Sequence, residues 1–131
     1  MIVVDASALV EYLFTSERGA IIAERLADPE EVLAGPCLLD VEVAQVVRRW
    51  SLAGKIDAER ALMALEDLAE LNALRWPHEP LLPRIWALRH NFTAYDAAYI
   101  ALAEGLGATL LTCDRSLARG GGINCDVELI A

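Results

Sequence analysis

Short segments made almost wholly of apolar residues alternate with longer amphipathic segments along this chain of 131 residues. Residues 2–4 and 108–112 show no polar alternation, which is typical of strands that are buried on both faces of a sheet. Helical patterns separate these strands, and that arrangement favours parallel strands joined by helical crossovers. The sequence therefore predicts an α/β fold with a mainly parallel central sheet, and its length suits one domain over residues 1–131.

The remaining segments extend the same plan. Further strands are predicted at residues 31–34, 74–76 and 127–130, the last of them at an edge of the sheet. Asp57 is a suitable N-cap for a helix. Helices are predicted directly after the first strand and at residues 17–27, 37–52, 58–73, 80–90, 93–104 and 115–118.

The composition limits the kinds of partner that the chain can have. It carries 20 Asp plus Glu against 11 Lys plus Arg, a formal net charge of −9, which counts against a surface that binds phosphate backbones everywhere. The three cysteines, Cys37, Cys113 and Cys125, have no CxxC spacing, so we expect neither a zinc knuckle nor a disulfide scaffold, and a reducing cytoplasm fits best. The chain shows no signal-peptide pattern and no apolar run of about 18 to 20 residues, so no membrane contact is expected.

Two acidic residues directly follow buried strands. Asp5 comes after residues 2–4, and Asp114 lies just beyond residues 108–112. Right-handed crossovers bring the carboxyl ends of parallel strands to one edge of a sheet, where ligands gather, so the two aspartates are predicted to share that edge. Each also has a simpler interpretation as a turn or helix cap, and Ser7 is a rival cap after the first strand.

Two further acids belong to predicted helices. Asp96 has mostly apolar neighbours one turn away and is predicted to face the protein, although its spacing from Thr93 also suits a capping box. In residues 37–52 both Asp40 and Glu42 are candidates. Asp40 is nearer the helix start, where the helix dipole explains it, so periodicity gives Glu42 only a slight preference and leaves the choice open.

Carboxylates gathered at one edge repel one another unless a cation joins them. Hard oxygen ligands suit Mg²⁺ or Mn²⁺, and such an ion can activate water and stabilise the charge on a phosphate that is displaced in line. This chemistry needs no protein nucleophile. Neither His78 nor His90 belongs to a recognisable triad, the chain has no GxSxG or P-loop motif, and Cys113 is expected to be a buried strand residue.

Four segments together carry a family resemblance: IVVDASALV, LLDVEVAQVVRR, TAYDAAYIALA and LLTCDRSLA. In this order, and over essentially the whole chain, they resemble PIN-domain ribonucleases, most closely the VapC-type toxins of toxin-antitoxin pairs. The resemblance implies a single PIN-like domain with a three-layer α/β/α fold. It also implies Mg²⁺- or Mn²⁺-dependent endoribonuclease activity, a homodimer, and inhibition by a cognate VapB-type antitoxin.

Carried over by position, the resemblance assigns metal binding and catalysis to Asp5, Glu42, Asp96 and Asp114, and it selects Glu42 over Asp40. Ser7 and Thr112 match polar positions that orient the carboxylates or waters. Ten of the eleven basic residues are arginine, which suits phosphate contact. Contacts to RNA or to the antitoxin are expected among Arg48, Arg49, Arg89, Arg115 and Arg119.

Three questions stay open at the level of sequence. A catalytically silent PIN-like module would bind metal or a protein partner with the same four acids. A receiver-like phosphoacceptor domain also gathers acids at strand ends. The apolar faces of residues 17–27 and 37–52 suit the core, a dimer surface or an antitoxin groove equally well.

Overall fold

A five-stranded sheet, parallel throughout, forms the centre of the computed structural model, which describes all residues 1–131. The strands are β1 (Ile2–Val4), β2 (Leu33–Pro36), β3 (Ala73–Trp76), β4 (Thr109–Thr112) and β5 (Val127–Leu129). Their spatial order is β3-β2-β1-β4-β5, so the order reverses between β1 and β4. A receiver-like domain has the order 2-1-3-4-5, and that alternative is therefore wrong.

The helices lie in two groups on the two faces of this sheet. One group, α1 to α4, is held together by mutual contacts, while α6 packs on β1, β2 and β4 with α5 against it. The predicted three-layer α/β/α arrangement is thereby confirmed. None of the helices combines the length and the apolar character that a membrane crossing requires. Their bounds are α1 (Ala6–Leu13), α2 (Glu17–Arg25), α3 (Leu38–Leu52), α4 (Ala58–Glu70), α5 (Leu82–Ala87), α6 (Ala94–Leu106) and α7 (Arg115–Arg119), with a 3-10 turn at Glu79–Leu81.

The core is built around β1 and α6. All three residues of β1 and the seven consecutive residues 97–103 of α6 are buried. A helix that is buried on every side has no apolar stripe, and any polar group on it needs a partner inside the protein. No buried side-chain nitrogen or oxygen lacks a hydrogen-bond partner.

Side-chain caps fix the starts of five helices. The predicted cap Asp57 accepts a hydrogen bond from the Arg60 amide at 2.7 Å, and Thr93 accepts one from the Asp96 amide at 3.2 Å. Asp5 caps α1 and Asp114 caps α7, so both strand-end aspartates do have the capping role that the sequence suggested. Ser16, which caps α2, was not predicted.

Several predicted boundaries are wrong, among them the ends of α2, at Arg25 and not at 27, and of α6, at Leu106 and not at 104. The second strand is displaced from residues 31–34 to Leu33–Pro36, because Glu31 closes a turn onto the Asp28 carbonyl and the strand pairs with β3 as far as Trp76. Helix α4 ends at Glu70 and not at 73, because Leu71 is extended and leads into β3. The segment 80–90 is shorter and divided, since Pro80 and Pro83 each lie in the first turn of a separate short helix.

Candidate active site

Asp5 stands at the carboxyl end of β1, at the point where the strand order reverses. The residue is 5% exposed. Oδ1 accepts hydrogen bonds from the Ser7 hydroxyl (2.6 Å) and the Ala8 amide (3.0 Å), and Oδ2 accepts one from the Thr112 hydroxyl. Burial raises the pKa of Asp5 to about 6, the charge of Asp114 adds to this rise, and the three hydrogen bonds oppose it.

Thr112 and Ser7 connect the ends of β1 and β4. The Thr112 hydroxyl accepts from the Asp114 amide at 3.0 Å while it donates to Asp5. The Ser7 hydroxyl accepts from the Cys113 amide at 3.0 Å and lies 3.3 Å from the Thr112 hydroxyl. These two hydroxyls orient the Asp5 carboxylate and tie it to the chain around Asp114.

Asp114 is held as the cap of α7. Its Oδ1 accepts from the Ser116 amide (2.8 Å), the Ser116 hydroxyl (2.7 Å) and the Leu117 amide (3.3 Å). These bonds, led by that of the Ser116 hydroxyl, lower the pKa of Asp114. Asp114 is therefore the acid of this edge that is most readily ionised, and no other side chain donates to its Oδ2.

The two acids on helices complete the same cluster. Burial raises the pKa of Asp96 and the pKa of Glu42. The negative charge of Asp114 raises the pKa of Asp96 further, and the negative charge of Asp96 raises the pKa of Glu42 further. The Tyr99 hydroxyl donates to Glu42 Oε1 at 2.6 Å. As predicted, Asp96 is half-buried against the protein.

The structure separates Glu42 from its rival on α3. Asp40 forms a bidentate pair with Arg75 on β3, with Nη2 to Oδ1 at 2.9 Å and Nε to Oδ2 at 3.3 Å. That pairing gives Asp40 a partner away from the other acids. Neighbouring charges link Asp5, Glu42, Asp96 and Asp114 in pairs, whereas Asp40 is paired with an arginine.

The donor chemistry of this cluster fits a hard divalent cation. None of the four acids forms an ion pair with an arginine, a lysine or a histidine. Their side chains do not converge as a ready set of three or more ligands around one point. Mutually repelling carboxylates are expected to spread apart until a cation joins them, and oxygen donors of this kind suit Mg²⁺ or Mn²⁺.

Comparison with known proteins identifies the fold family. The family model of the PIN domain matches residues 2–123 of this chain. This chain belongs to the PIN-domain family. The match spans all four segments that carry the acids, as the resemblance implied.

The relatives of this PIN domain place it among the VapC-type proteins. It is 41% identical to ribonuclease VapC12 of Mycobacterium tuberculosis over 131 residues, which cover 100% of both chains. It is 43% identical to ribonuclease VapC1 of the same species over 129 residues, 98% of this chain and 96% of that protein. A crystal structure of VapBC2 from Rickettsia felis bound to a DNA fragment from its promoter shares the fold, with a TM-score of 0.71 at 16% identity and 98% coverage of each chain.

The five arginines predicted to contact RNA or the antitoxin differ in their surroundings in this PIN domain. Arg48, Arg115 and Arg119 are exposed and form no ion pair, and Arg89 stacks over the Trp86 ring at 4.6 Å. Arg49 lines a cavity of about 270 Å³ whose wall includes Ser7 and Cys113. Because Ser7 binds Asp5 directly, this cavity adjoins the acidic cluster.

Three side-chain contacts of this PIN domain were not predicted from the sequence. Arg18 lines the same cavity while it pairs with Glu11 at 2.8 Å, and its place depends on how α2 folds back on α1. Tyr99 donates to Glu42, and its place in a strongly apolar helical segment could have indicated that its hydroxyl needs a partner inside the protein. His78 Nε2 accepts a hydrogen bond from the Leu38 amide at 2.9 Å, at the start of α3.

The surroundings of Cys113 do not activate its thiol as a nucleophile. Burial raises the pKa of its thiol to about 11, which leaves little thiolate at neutral pH. Cys113 was predicted to be a buried strand residue, but it lies just after β4 and is only partly buried, because the chain turns there towards α7.

Proposed function

We propose that this VapC-type PIN domain is a metal-dependent endoribonuclease toxin that hydrolyses RNA phosphodiester bonds. The observation that carries the proposal is the cluster of Asp5, Glu42, Asp96 and Asp114, which influence one another's pKa at the switch point of the sheet and have no basic partner. The two relatives named as ribonucleases support the same conclusion.

The four carboxylates are the residues that would hold Mg²⁺ or Mn²⁺. Such an ion, when bound, activates a water molecule and stabilises negative charge on the phosphate. Ser7 and Thr112 hold both oxygens of Asp5 in one orientation, and α7 holds one oxygen of Asp114. Rotation of these two carboxylates is therefore restricted before any ligand arrives, which lowers the entropy lost on binding.

The cavity beside Ser7 is the proposed place for the RNA backbone. Arg18 and Arg49 line it, and their guanidinium groups suit phosphate oxygens. Its other walls include the apolar side chains Val10, Val46 and Trp50. Glu11 also lines the cavity and pairs with Arg18, so Arg49 is the lining arginine that is free to contact a phosphate near Ser7.

The expected partners and compartment follow from the family and remain proposals. We propose a homodimer of a single PIN domain over residues 1–131 that is inhibited by a VapB-type antitoxin, as in other VapC proteins of toxin-antitoxin pairs. One continuous hydrophobic core supports the single domain. Three cysteines that all remain thiols suit the reducing cytoplasm.

The test uses protein freed of antitoxin and incubated with a structured RNA that has been circularised. Cleavage of a circle requires an internal cut, so it separates an endonuclease from an exonuclease. We expect cleavage with Mg²⁺ or Mn²⁺ and none in EDTA. Glu42→Gln and Asp96→Asn are expected to lower the rate at least 100-fold, while Asp40→Asn on the same helix as Glu42 retains activity.

The alternative is a catalytically silent binding module that uses the same four acids. That alternative requires Mn²⁺ binding with no cleavage of any RNA offered. Full activity in EDTA, or in Asp96→Asn, would contradict the metal-dependent mechanism.

A further inference from the structure

Helix α6 brings a second polar side chain to the acidic cluster, one turn after Asp96. Tyr99 is 1% exposed, and its hydroxyl donates to Glu42 Oε1 at 2.6 Å. The hydroxyl makes no other hydrogen bond, and the Glu42 carboxylate accepts none from any other group. Each is therefore the sole protein partner of the other.

This bond joins the two helical layers of the protein. Glu42 lies on α3, which belongs to the group α1 to α4, whereas Tyr99 lies on α6 across the sheet. The same helix α6 carries Asp96. The position of Glu42 relative to Asp96 therefore depends on a contact between layers, because neither the sheet nor α3 alone determines it.

Packing accounts for the tyrosine ring but not for its hydroxyl. The ring belongs to the hydrophobic core cluster, where phenylalanine would fill nearly the same volume. A buried hydroxyl without a partner is costly, so its presence here requires an acceptor. That acceptor is one of the four acids of the proposed metal site.

We infer that Tyr99 is a positioning residue that holds Oε1 of Glu42 and thereby leaves Oε2 for the cation. The inference rests on the proposed function and adds a residue to it. Tyr99 acts only through Glu42, so its removal should alter metal affinity and turnover but should not alter the affinity for RNA.

The first experiment compares Tyr99→Phe with Tyr12→Phe, a matched loss of a hydroxyl on α1 from a partly buried ring that makes no side-chain hydrogen bond. Mn²⁺ binding is measured by isothermal titration calorimetry without RNA, and kcat and KM are measured on the circular RNA. We expect Tyr99→Phe to weaken Mn²⁺ binding and to lower kcat about tenfold each, with KM unchanged. Tyr12→Phe is expected to match the parent protein.

A double-mutant cycle with Glu42→Gln separates positioning from general packing. If Tyr99 acts through Glu42, Tyr99→Phe adds less than a twofold effect in the Glu42→Gln background. An equal loss in both backgrounds would overturn the inference. Glu42→Asp provides a second test that leaves Tyr99 intact. The shorter side chain moves the carboxylate back by one methylene group, so this variant is also expected to bind Mn²⁺ more weakly.

The inference and the proposed function fail in different ways. If the parent protein binds Mn²⁺ and cleaves RNA while Tyr99→Phe behaves like Tyr12→Phe, only the role of Tyr99 is overturned. If the parent protein binds Mn²⁺ but cleaves no RNA, the proposed function fails, and calorimetry on the variants still decides whether Tyr99 positions Glu42. A parent protein that binds no Mn²⁺ overturns both.

Discussion

At the residue scale, the side chain of Asp5 is subject to two influences that favour opposite protonation states. Three hydrogen bonds from Ser7, Ala8 and Thr112 favour the carboxylate, whereas burial favours the neutral acid and prevails. In the unfolded chain the pKa is near its ordinary value of 3.8, and in the folded protein it is about 6. The folded state thus binds the proton more tightly.

This difference predicts how stability depends on pH when no metal is present. The contribution of Asp5 is fully present below about pH 4 and is lost as the pH rises to about 6, with an upper limit of about 3 kcal/mol. Asp5→Asn keeps the capping oxygen and removes the charge. In EDTA it is expected to raise the free energy of unfolding at pH 7 by about 1 to 2 kcal/mol, measured by urea titration, and to change it little at pH 4.

The control is Asp57→Asn, the same change at the exposed cap of α4. Asparagine and aspartate cap helices about equally well, so its effect at pH 7 should stay below about 0.5 kcal/mol. An Asp5→Asn protein that is less stable than the parent at pH 7 would contradict the dominance of burial.

The sequence predicted two acids of the proposed site from the strand pattern, but it could not choose between two acids on the same helix. Asp5 and Asp114 follow buried strands, so the rules of parallel sheets bring them together. Glu42 and Asp40 could not be separated by periodicity, because the deciding contacts, to Tyr99 and to Arg75, come from distant parts of the chain. Arg18 carried no local signal at all, since its place depends on the packing of α2 against α1.

At the scale of elements, the junction between α1 and α2 depends on one close approach. A Cβ atom added at Gly19 would overlap the backbone oxygen of Glu11 on α1, and rigid backbone cannot yield as a side chain can. Gly19→Ala is therefore expected to destabilise the protein by about 1 to 3 kcal/mol in urea unfolding.

Gly105 on α6 provides the matched comparison. A Cβ there meets nothing within 4 Å, so Gly105→Ala should stabilise the helix by up to about 1 kcal/mol. Equal effects of the two substitutions would show that helix propensity, and not the contact with α1, determines the result.

Element types followed from apolar periodicity, whereas several element ends did not. Helix α4 has a continuous helical pattern beyond Glu70, yet residues from Ala73 onward pair with β2, and that pairing outweighs local propensity. Similarly, β2 begins later than its apolar run suggests because a turn at residues 28–31 precedes it. The pairing of β3 with β2 joins residues about 40 positions apart, so a local window of sequence does not encode it.

At the scale of the whole molecule, a net charge of −9 has to be reconciled with an RNA substrate. The proposed binding region is local, with Arg18 and Arg49 beside the acids. With two phosphate contacts, the affinity for RNA is expected to fall only gradually as the salt concentration rises. For single-stranded RNA the slope of log affinity against log salt concentration is about −1.4.

This arrangement distinguishes two adjacent arginines on α3. Arg49→Ala is expected to raise KM for RNA about five- to tenfold, or about 1 to 1.4 kcal/mol, and to leave kcat within twofold. Arg48 is exposed and does not line the cavity, so Arg48→Ala should leave both constants within twofold. Equal losses from both substitutions would indicate a diffuse electrostatic effect in place of a defined contact.

The strand order has a consequence for how the protein is made. Asp5 is translated more than one hundred residues before Thr112 and Asp114, which lie on and just beyond β4. A ribosome must therefore translate β4 and the residues that follow it before the acids can assemble. Under the proposed function, a nascent chain that stops before β4 is harmless to the cell that makes it, and the damage begins only once Asp114 has been added.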